Sequence, residues 1–260
     1  MGTPIYILTG VLGLAIGSFL NAAIYRIPRQ KKLSRGRSVC PHCDYQLRWF
    51  HNIPLLSYLF LRGKCANCHR KISPRYPLVE AVNALAYLFF LNRLGLTVTF
   101  AVFALLSSAL IVVFFIDLDF QIIPDVITLP GMVIGLGVSF LPGGIGFVPA
   151  LTGLLVGGGS LYLIAVLGDW LFKKESMGGG DIKMAAMLGA FLGWQKILFV
   201  FIASAVIGLV VSLVLMAFSR RLREQRVVPF GPFLATAALL AITWGDRLIS
   251  LYIEHFVARH

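Results

Sequence analysis

Asp117 and Asp181 fall where membrane-length apolar segments meet polar loops, and Asp181 follows three glycines, Gly178, Gly179 and Gly180. The chain has 11 acidic residues against 58% hydrophobic ones, so each carboxylate carries information. An Asp at the centre of a membrane helix costs roughly 2.5–3.5 kcal/mol on insertion scales, and less near an interface. Glycine removes side-chain bulk and permits positive φ, which lets backbone and substrate come close to a neighbouring carboxylate. Two carboxylates brought together resist joint ionisation, so one keeps its proton near neutral pH. The ionised partner then takes a proton from bound water, the water attacks a peptide carbonyl, and the protonated partner stabilises the oxyanion. Phosphate binding is the alternative use of such glycines. A P-loop, however, needs Lys followed by Ser or Thr, and Asp181 occupies the wrong place for an anion cradle.

The remaining acids have plainer readings. Asp119 lies two residues from Asp117 and faces elsewhere on a helix. Asp125, beside Pro124, is placed to cap the next helix. Glu80 opens an apolar segment, where a helix N-terminus favours negative charge, with substrate or cofactor contact as the alternative. Asp169 and Lys173 have the spacing of a helix ion pair. Asp44 and Glu175 read as solvated loop residues, Glu224 as a surface partner of nearby arginines, and Asp246 and Glu254 as outer-side groups.

All four cysteines occur in two pairs, Cys40-Pro-His-Cys43 and Cys65-Ala-Asn-Cys68. Two Cys-x-x-Cys pairs at this separation are the usual spacing of a tetrahedral thiolate site, each pair gripping one side of an ion. Four thiolates leave no open coordination position, so the expected metal, zinc, is structural. His42 and His69 flank the ligands and are expected outside the coordination set. Disulfides are the alternative, disfavoured by a reducing cytoplasm.

The elements that must position these groups are apolar and helical. A mean hydropathy of +0.85 places the chain among polytopic membrane proteins. Apolar segments at 4–25, 78–92, 97–116, 126–141, 148–172, 182–194, 197–218 and 233–253 predict an all-α bundle of about eight transmembrane helices. Segments 78–92 and 182–194 are short for a span. Segment 4–25 lacks the basic start and short apolar core of a cleaved signal peptide. The expected organisation is a first helix at 1–27, a zinc-knuckle-like loop subdomain at 28–77 and a bundle at 78–260. No internal repeat is apparent, and glycines such as Gly153, Gly157, Gly158 and Gly159 read as helix-packing positions.

The formal net charge is +12. Its excess concentrates in the first long loop, from Arg26 to Arg75, and around Arg220, Arg221, Arg223 and Arg226, with Lys173 and Lys174 in another loop on the same side. By the positive-inside rule that loop is cytoplasmic, and with eight spans both termini face outward. Topology and attraction to anionic lipid therefore account for the charge, without nucleic acid.

Together these features resemble the type IV prepilin peptidases. The resemblance rests on Gly17-Ser18-Phe19-Leu20-Asn21, Tyr25-Arg26-Ile27-Pro28, both cysteine pairs, Asn52-Ile53-Pro54 and Ser73-Pro74-Arg75-Tyr76-Pro77-Leu78-Val79-Glu80. It extends through the Asp117 segment, the Gly-x-Gly-Asp motif ending at Asp181, and Pro229-Phe230-Gly231-Pro232. Gly-x-Gly-Asp alone is weak, since other intramembrane aspartyl proteases share it; the ordered set is specific. The resemblance implies an inner-membrane enzyme with Asp117 and Asp181 as catalytic aspartates. Its partners would be type IV prepilin or pseudopilin precursors, whose basic leader is removed at the cytoplasmic face. It further implies N-methylation of the new terminus with S-adenosylmethionine, for which no strand with Gly-x-Gly-x-x-Gly is present and no ligand residue is evident. Alternatives are a transporter or channel binding ions at the two aspartates, disfavoured because no polar path continues outward, and a leader peptidase lacking methylation.

Overall fold

The computed structural model describes residues 2–33, 38–174, 176–218, 229–252 and 254–255. Arg35, Arg37, Glu175, Arg220, Arg221, Arg223, Glu224, Arg226 and Arg259 lie outside the described residues. Among the described residues all regular elements are helical, with two isolated antiparallel bridges. The chain folds as two compact units, Met1–Val112 and Val113–His260.

The first unit contains α1 (Thr3–Arg26), a short loop helix α2 (Leu56–Phe60), α3 (Arg75–Leu94) and the beginning of α4 (Val98–Phe120). Small residues let α1 and α3 run close together. A Cβ added at Gly13 would lie 2.7 Å from the Ala84 Cα, and one at Gly17 would lie 2.7 Å from the Glu80 Cα. A buried polar cluster fixes their register. Asn83 donates to the Gly13 carbonyl at 2.8 Å, Ser108 of α4 donates to Asn83 Oδ1 at 2.7 Å, and the Tyr87 hydroxyl meets Ser108 at 3.1 Å. Each buried polar atom thereby avoids the desolvation cost of standing alone. α3 begins earlier than its apolar run because Pro77 sits within the first turn, where no backbone N–H is needed. Glu80 therefore occupies the second turn instead of the helix start.

The second unit contains the last turns of α4, then α5 (Asp125–Val138), α6 (Phe147–Phe172), α7 (Gly179–Phe218) and α8 (Gly231–Tyr252). α7 is broken once, at Gly193, whose φ of 80° and ψ of 169° suit glycine alone. The two apolar segments expected at 182–194 and 197–218 are the two halves of this broken helix. α6 lies along the first half. A Cβ at Gly153 would strike the Gly189 carbonyl, one at Gly157 the Ala185 carbonyl, and one at Gly158 would come within 2.9 Å of the Ala186 Cβ. The packing role expected of these glycines is borne out, whereas Gly159 faces open space. The opposite face of α6 exposes Leu163, Ile164 and Leu167, as a lipid-bordered helix requires.

Among the described residues, five stretches are long and apolar enough to cross a membrane: Thr3–Arg29, Val98–Phe120, Phe147–Phe172, Gly179–Ala217 and Gly231–Leu251. The difference from eight expected spans has local causes. α5 has 14 residues with Pro130 inside, the two halves of α7 form one stretch, and α3 carries Glu80, Asn83, Asn92 and Arg93.

The α6–α7 contact yields a paired test. Gly189→Ala is expected to destabilise the protein by about 1–3 kcal/mol through overpacking. Gly159→Ala is expected to stay within about 0.5 kcal/mol of the parent. Thermal unfolding in detergent compares the two.

Candidate active site and metal centre

In the second unit, α4 delivers Asp117 one turn before its end. Gln121, at φ 55°, closes that helix by donating its N–H to the Asp117 carbonyl at 2.8 Å. The Asp117 side chain is 5% exposed, and its Oδ2 accepts the Gly231 N–H at 3.0 Å. Gly231 is the first residue of α8, where backbone N–H groups lack helical partners and are free to donate. No larger residue fits there: a Cβ at Gly231 would lie 2.6 Å from Asp117 Oδ2.

Asp181 sits in the first turn of α7, with its N–H donating to the Gly178 carbonyl at 3.1 Å. Its Oδ1 is buried without a protein partner. Ile123 brings the two carriers together. A Cβ at Gly180 would lie 2.9 Å from the Ile123 Cβ, and one at Gly231 would lie 3.1 Å from the Ile123 Cδ1. Ile123 is thus a shared neighbour of the residue that binds Asp117 and the residue that precedes Asp181. The glycines before Asp181 thus have unequal roles. Gly180 admits Ile123, Gly178 leaves room beside Asp181 Oδ2, and Gly179 borders open space. An acid pair with a proton-accepting oxygen, a backbone donor and one uncommitted oxygen can activate water and polarise a carbonyl.

Asp119 is exposed, whereas Asp117 is buried. Asp125 does not cap α5, since Pro124 is the N-cap and no side-chain cap bond forms. Instead its two oxygens meet Lys183 Nζ at 2.8 and 2.7 Å. This half-exposed ion pair ties the start of α5 to the turn that carries Asp181, and is worth about 0–1 kcal/mol. Lys183 and Ile123 were missed in the sequence, where nothing links positions so far apart. Gly231 did carry a signal, because a glycine between Pro229 and Pro232 marks a helix start. Asp169 also differs from expectation. It accepts the Ser176 N–H at 2.6 Å and hydroxyl at 2.8 Å, because Lys173 adopts a left-handed conformation that ends α6. Asp246 pairs with Lys196 at 2.8 Å.

The first unit gathers the cysteines. Cys40, Cys43, Cys65 and Cys68 are free thiols whose sulfurs lie within 4.8 Å of one another, with Cys40 and Cys68 at 3.9 Å. A tetrahedron with metal–sulfur bonds of about 2.3 Å has sulfur–sulfur edges of about 3.8 Å. The four residues therefore fit a thiophilic tetrahedral ion. His42 and His69 are exposed and outside the cluster, and Asn67 Nδ2 approaches the Cys43 sulfur at 3.8 Å.

The two halves are built alike, an internal repeat that the sequence did not make apparent. Cys40 N–H donates to the Tyr45 carbonyl and Asp44 N–H to the Cys40 carbonyl, both at 3.0 Å. Likewise, Cys65 N–H donates to Arg70 at 2.9 Å and His69 N–H to Cys65 at 3.1 Å. Asp44 and His69 share a left-handed φ, and the bridges Val39–Gln46 and Lys64–Lys71 close the two turns. Burial pushes the Cys40 thiol up to about 11, while N–H groups of Cys68 and Asn67 hold Cys65 down to about 7. The Tyr45 N–H lowers Cys43 in the same way.

Glu80 lines a cavity of about 740 Å3 in this unit, beside the cysteine turns. Its Oε2 accepts the Leu55 N–H at 2.9 Å. Leu55 holds a φ of 57°, a conformation that costs a non-glycine residue about 1–3 kcal/mol.

Two family models cover these two sites in turn. Residues 11–94 match the bacterial peptidase A24 N-terminal domain, and residues 104–213 match the type IV leader peptidase family. The chain is 37% identical to a prepilin leader peptidase/N-methyltransferase of Stutzerimonas stutzeri, over 94% of this chain and 92% of that protein. It is 38% identical to one of Pseudomonas putida, over 94% and 93%. It is 42% identical to one of Myxococcus xanthus, over 90% and 70%. No solved structure matches the chain. The chain belongs to the type IV leader peptidase family.

The cysteine cluster gives a pH test. Metal binding must displace thiol protons, so affinity is expected to fall as pH drops, by about tenfold per pH unit for each proton displaced. Competition with a coloured chelator between pH 6 and 8 measures the slope; a flat profile would exclude thiolate coordination.

Proposed function

We propose that this chain is a multi-pass membrane aspartic endopeptidase that removes the basic leader from type IV pilin-like or pseudopilin precursors. It then methylates the exposed N-terminal amine with S-adenosylmethionine. The observation that supports the reading is Ile123 lying against both Gly231, whose N–H binds Asp117, and Gly180, which precedes Asp181, an aspartate with one buried oxygen left without a protein partner. Family membership supplies the substrate class. The relatives' printed names supply both activities.

In the reaction, one aspartate is ionised and its partner protonated, and their titration belongs to the pair. The ionised group takes a proton from water as the water oxygen bonds to the scissile carbonyl carbon. The protonated group hydrogen-bonds the developing oxyanion. Collapse of the tetrahedral intermediate breaks the C–N bond, and the leaving amine takes its proton from the carboxyl formed in the first step. Gly231 N–H keeps Asp117 oriented throughout, and the Asp125–Lys183 pair steadies the turn bearing Asp181. The cut lies at the cytoplasmic face. Eight spans, a cytoplasmic loop at 28–77 and outward termini are favoured by the distribution of lysine and arginine. In that loop Cys40, Cys43, Cys65 and Cys68 would hold a structural zinc, which supplies folding energy to a segment too small for its own core. The basic loop meets anionic lipid, and no nucleic-acid partner is invoked.

Asp117→Asn and Asp181→Asn are each expected to cut precursor cleavage by about a hundredfold or more while leaving the protein folded. Undiminished cleavage by a purified variant would remove that residue from the mechanism. Gly231→Ala is expected to lower cleavage by about tenfold or more by displacing the Asp117 carboxylate, and to cost about 1–3 kcal/mol of stability through overpacking. Protein purified without chelator is expected to contain about one zinc per chain, and Cys65→Ser to contain little. Elemental analysis decides the last point.

A further inference from the structure

The short loop helix α2 is amphipathic the wrong way round for a segment surrounded by water. Its inward side is Ser57 and Tyr58, with Leu61 just beyond its end, and all three line the cavity beside the cysteine turns. Its outward side is Leu56, Leu59 and Phe60, at the i, i+3 and i+4 spacing of one helix face. Leu59 and Phe60 are 68% and 83% exposed, and Leu56 is exposed as well. The preceding turn adds Trp49, 81% exposed, with the Phe50 ring edge-on to it at a centroid separation of 5.7 Å. Ser57 ties that turn to α2 by donating its hydroxyl to the Phe50 carbonyl at 2.7 Å. Single exposed apolar side chains are ordinary, whereas a group of them marks a surface that something apolar covers.

The level of α2 along its neighbouring helices identifies the cover. α1 and α3 run antiparallel, with Asn21 donating to the Tyr76 carbonyl at 3.0 Å and Gly17 packed against Glu80. The Leu55 N–H, at the start of α2, donates to Glu80 Oε2 at 2.9 Å. α2 therefore begins close to the level of Gly17, nine residues, or about 13 Å, before α1 ends at Arg26. Around that level both helices still expose apolar side chains, Phe19 on α1 and Leu78 and Val82 on α3. In the chain on either side of the apolar group stand three exposed cations, Arg48 before it and Arg62 and Lys64 after it. Tryptophan and other apolar side chains flanked by lysine and arginine are the composition of a segment lying where headgroups meet acyl chains.

We infer that Trp49, Leu56, Leu59 and Phe60 form a membrane-interface anchor, seated in the lipid leaflet on the side of the cysteine loop. The inference rests on the reading of the chain as a multi-pass membrane protein, and it names the part of the loop that enters lipid. Seating these side chains among acyl chains removes from water the apolar surface that α2 turns outward. The flanking cations add attraction to anionic headgroups, which fades within a Debye length and so acts only on a segment held at the surface. The anchor also positions the metal-binding turns. The Gly63 N–H donates to the Tyr58 carbonyl at 2.8 Å, and the Gly63 carbonyl accepts the Ile72 N–H at 2.7 Å, so the second cysteine turn is built directly onto the end of α2. A loop otherwise tied only through its ends is thereby held against the bilayer at its middle.

The test is tryptophan fluorescence of the full chain in vesicles of phosphatidylcholine and phosphatidylglycerol. Trp170→Phe, Trp194→Phe and Trp244→Phe together leave Trp49 as the one tryptophan of four. Lipids brominated near the headgroup end of their acyl chains are expected to lower Trp49 emission by about half or more, and lipids brominated near the chain ends to lower it less. Phe60→Trp, with Trp49→Phe added, gives a second reporter on the same face and is expected to respond alike. Leu12→Trp, with Trp49→Phe added, places a reporter at an exposed position within α1 and is the control for insertion of the helices. Precursor cleavage by each preparation reports folding. Reporters at 49 and 60 that ignore brominated lipid but are quenched by aqueous iodide stand in water, and overturn the inference. Reporters quenched by neither agent lie under protein, which overturns it equally. A Leu12→Trp reporter untouched by either brominated lipid overturns the membrane reading instead.

Discussion

A single backbone N–H, that of Gly231, fixes the geometry of the second unit's polar end. A carboxylate buried among apolar helices needs a donor, and the unpaired N–H groups at the start of α8 provide one. Because the donor is backbone, it cannot turn away by a change of rotamer; only the Asp117 side chain can. It also requires that position 231 carry no side chain, since Asp117 Oδ2 occupies the space. Ile123 then sits against both Gly231 and Gly180, so the loop between α4 and α5 wedges the two carboxylate-bearing elements into one arrangement. Short helices, close-packed glycines and the Lys183–Asp125 pair all serve this arrangement.

The first unit solves a different problem by different means. Its long loop has few large buried side chains, and its order comes from two turns of the same design facing each other across four sulfurs. Each turn presents its first cysteine from the buried side and uses a left-handed residue to reverse the chain. The difference in proton affinity between Cys40 and Cys65 follows from this layout. Both sulfurs are buried and accept amide N–H groups, but burial outweighs the amides at Cys40 and the N–H groups of Cys68 and Asn67 outweigh burial at Cys65.

Much of this was readable in the sequence because the groups concerned are rare. Eleven acids, four cysteines and a run of three glycines stand out in an apolar chain. The cysteine cluster could be anticipated from residue chemistry alone, as could the position of Asp117 and Asp181 near helix ends. The helices were also legible, since apolar runs and glycine or proline boundaries mark them. Less legible was anything set by backbone conformation or by contacts between distant segments. The repeat in the cysteine loop is one of hydrogen bonding and φ, not of residue identity, for Asp44 corresponds to His69 and Val39 to Lys64. Asp125 and Asp169 were assigned local partners from spacing, but a tertiary lysine and a turn serine compete successfully for them. Glu80 looked like a helix-start charge because its apolar run begins there; Pro77 allows the helix to start five residues earlier.

The shortness of α5 bears on the lipid around it. Fourteen residues rise about 21 Å, some 9 Å less than the hydrocarbon layer is thick. Val126, Leu129, Val133 and Ile134 give this helix an exposed apolar stripe at helical spacing, so acyl chains border it directly. Thinning of the adjacent lipid is one way a bilayer accommodates a helix this short. A bilayer spanned by so short a helix would be drawn in toward its ends, at one of which Asp125 stands.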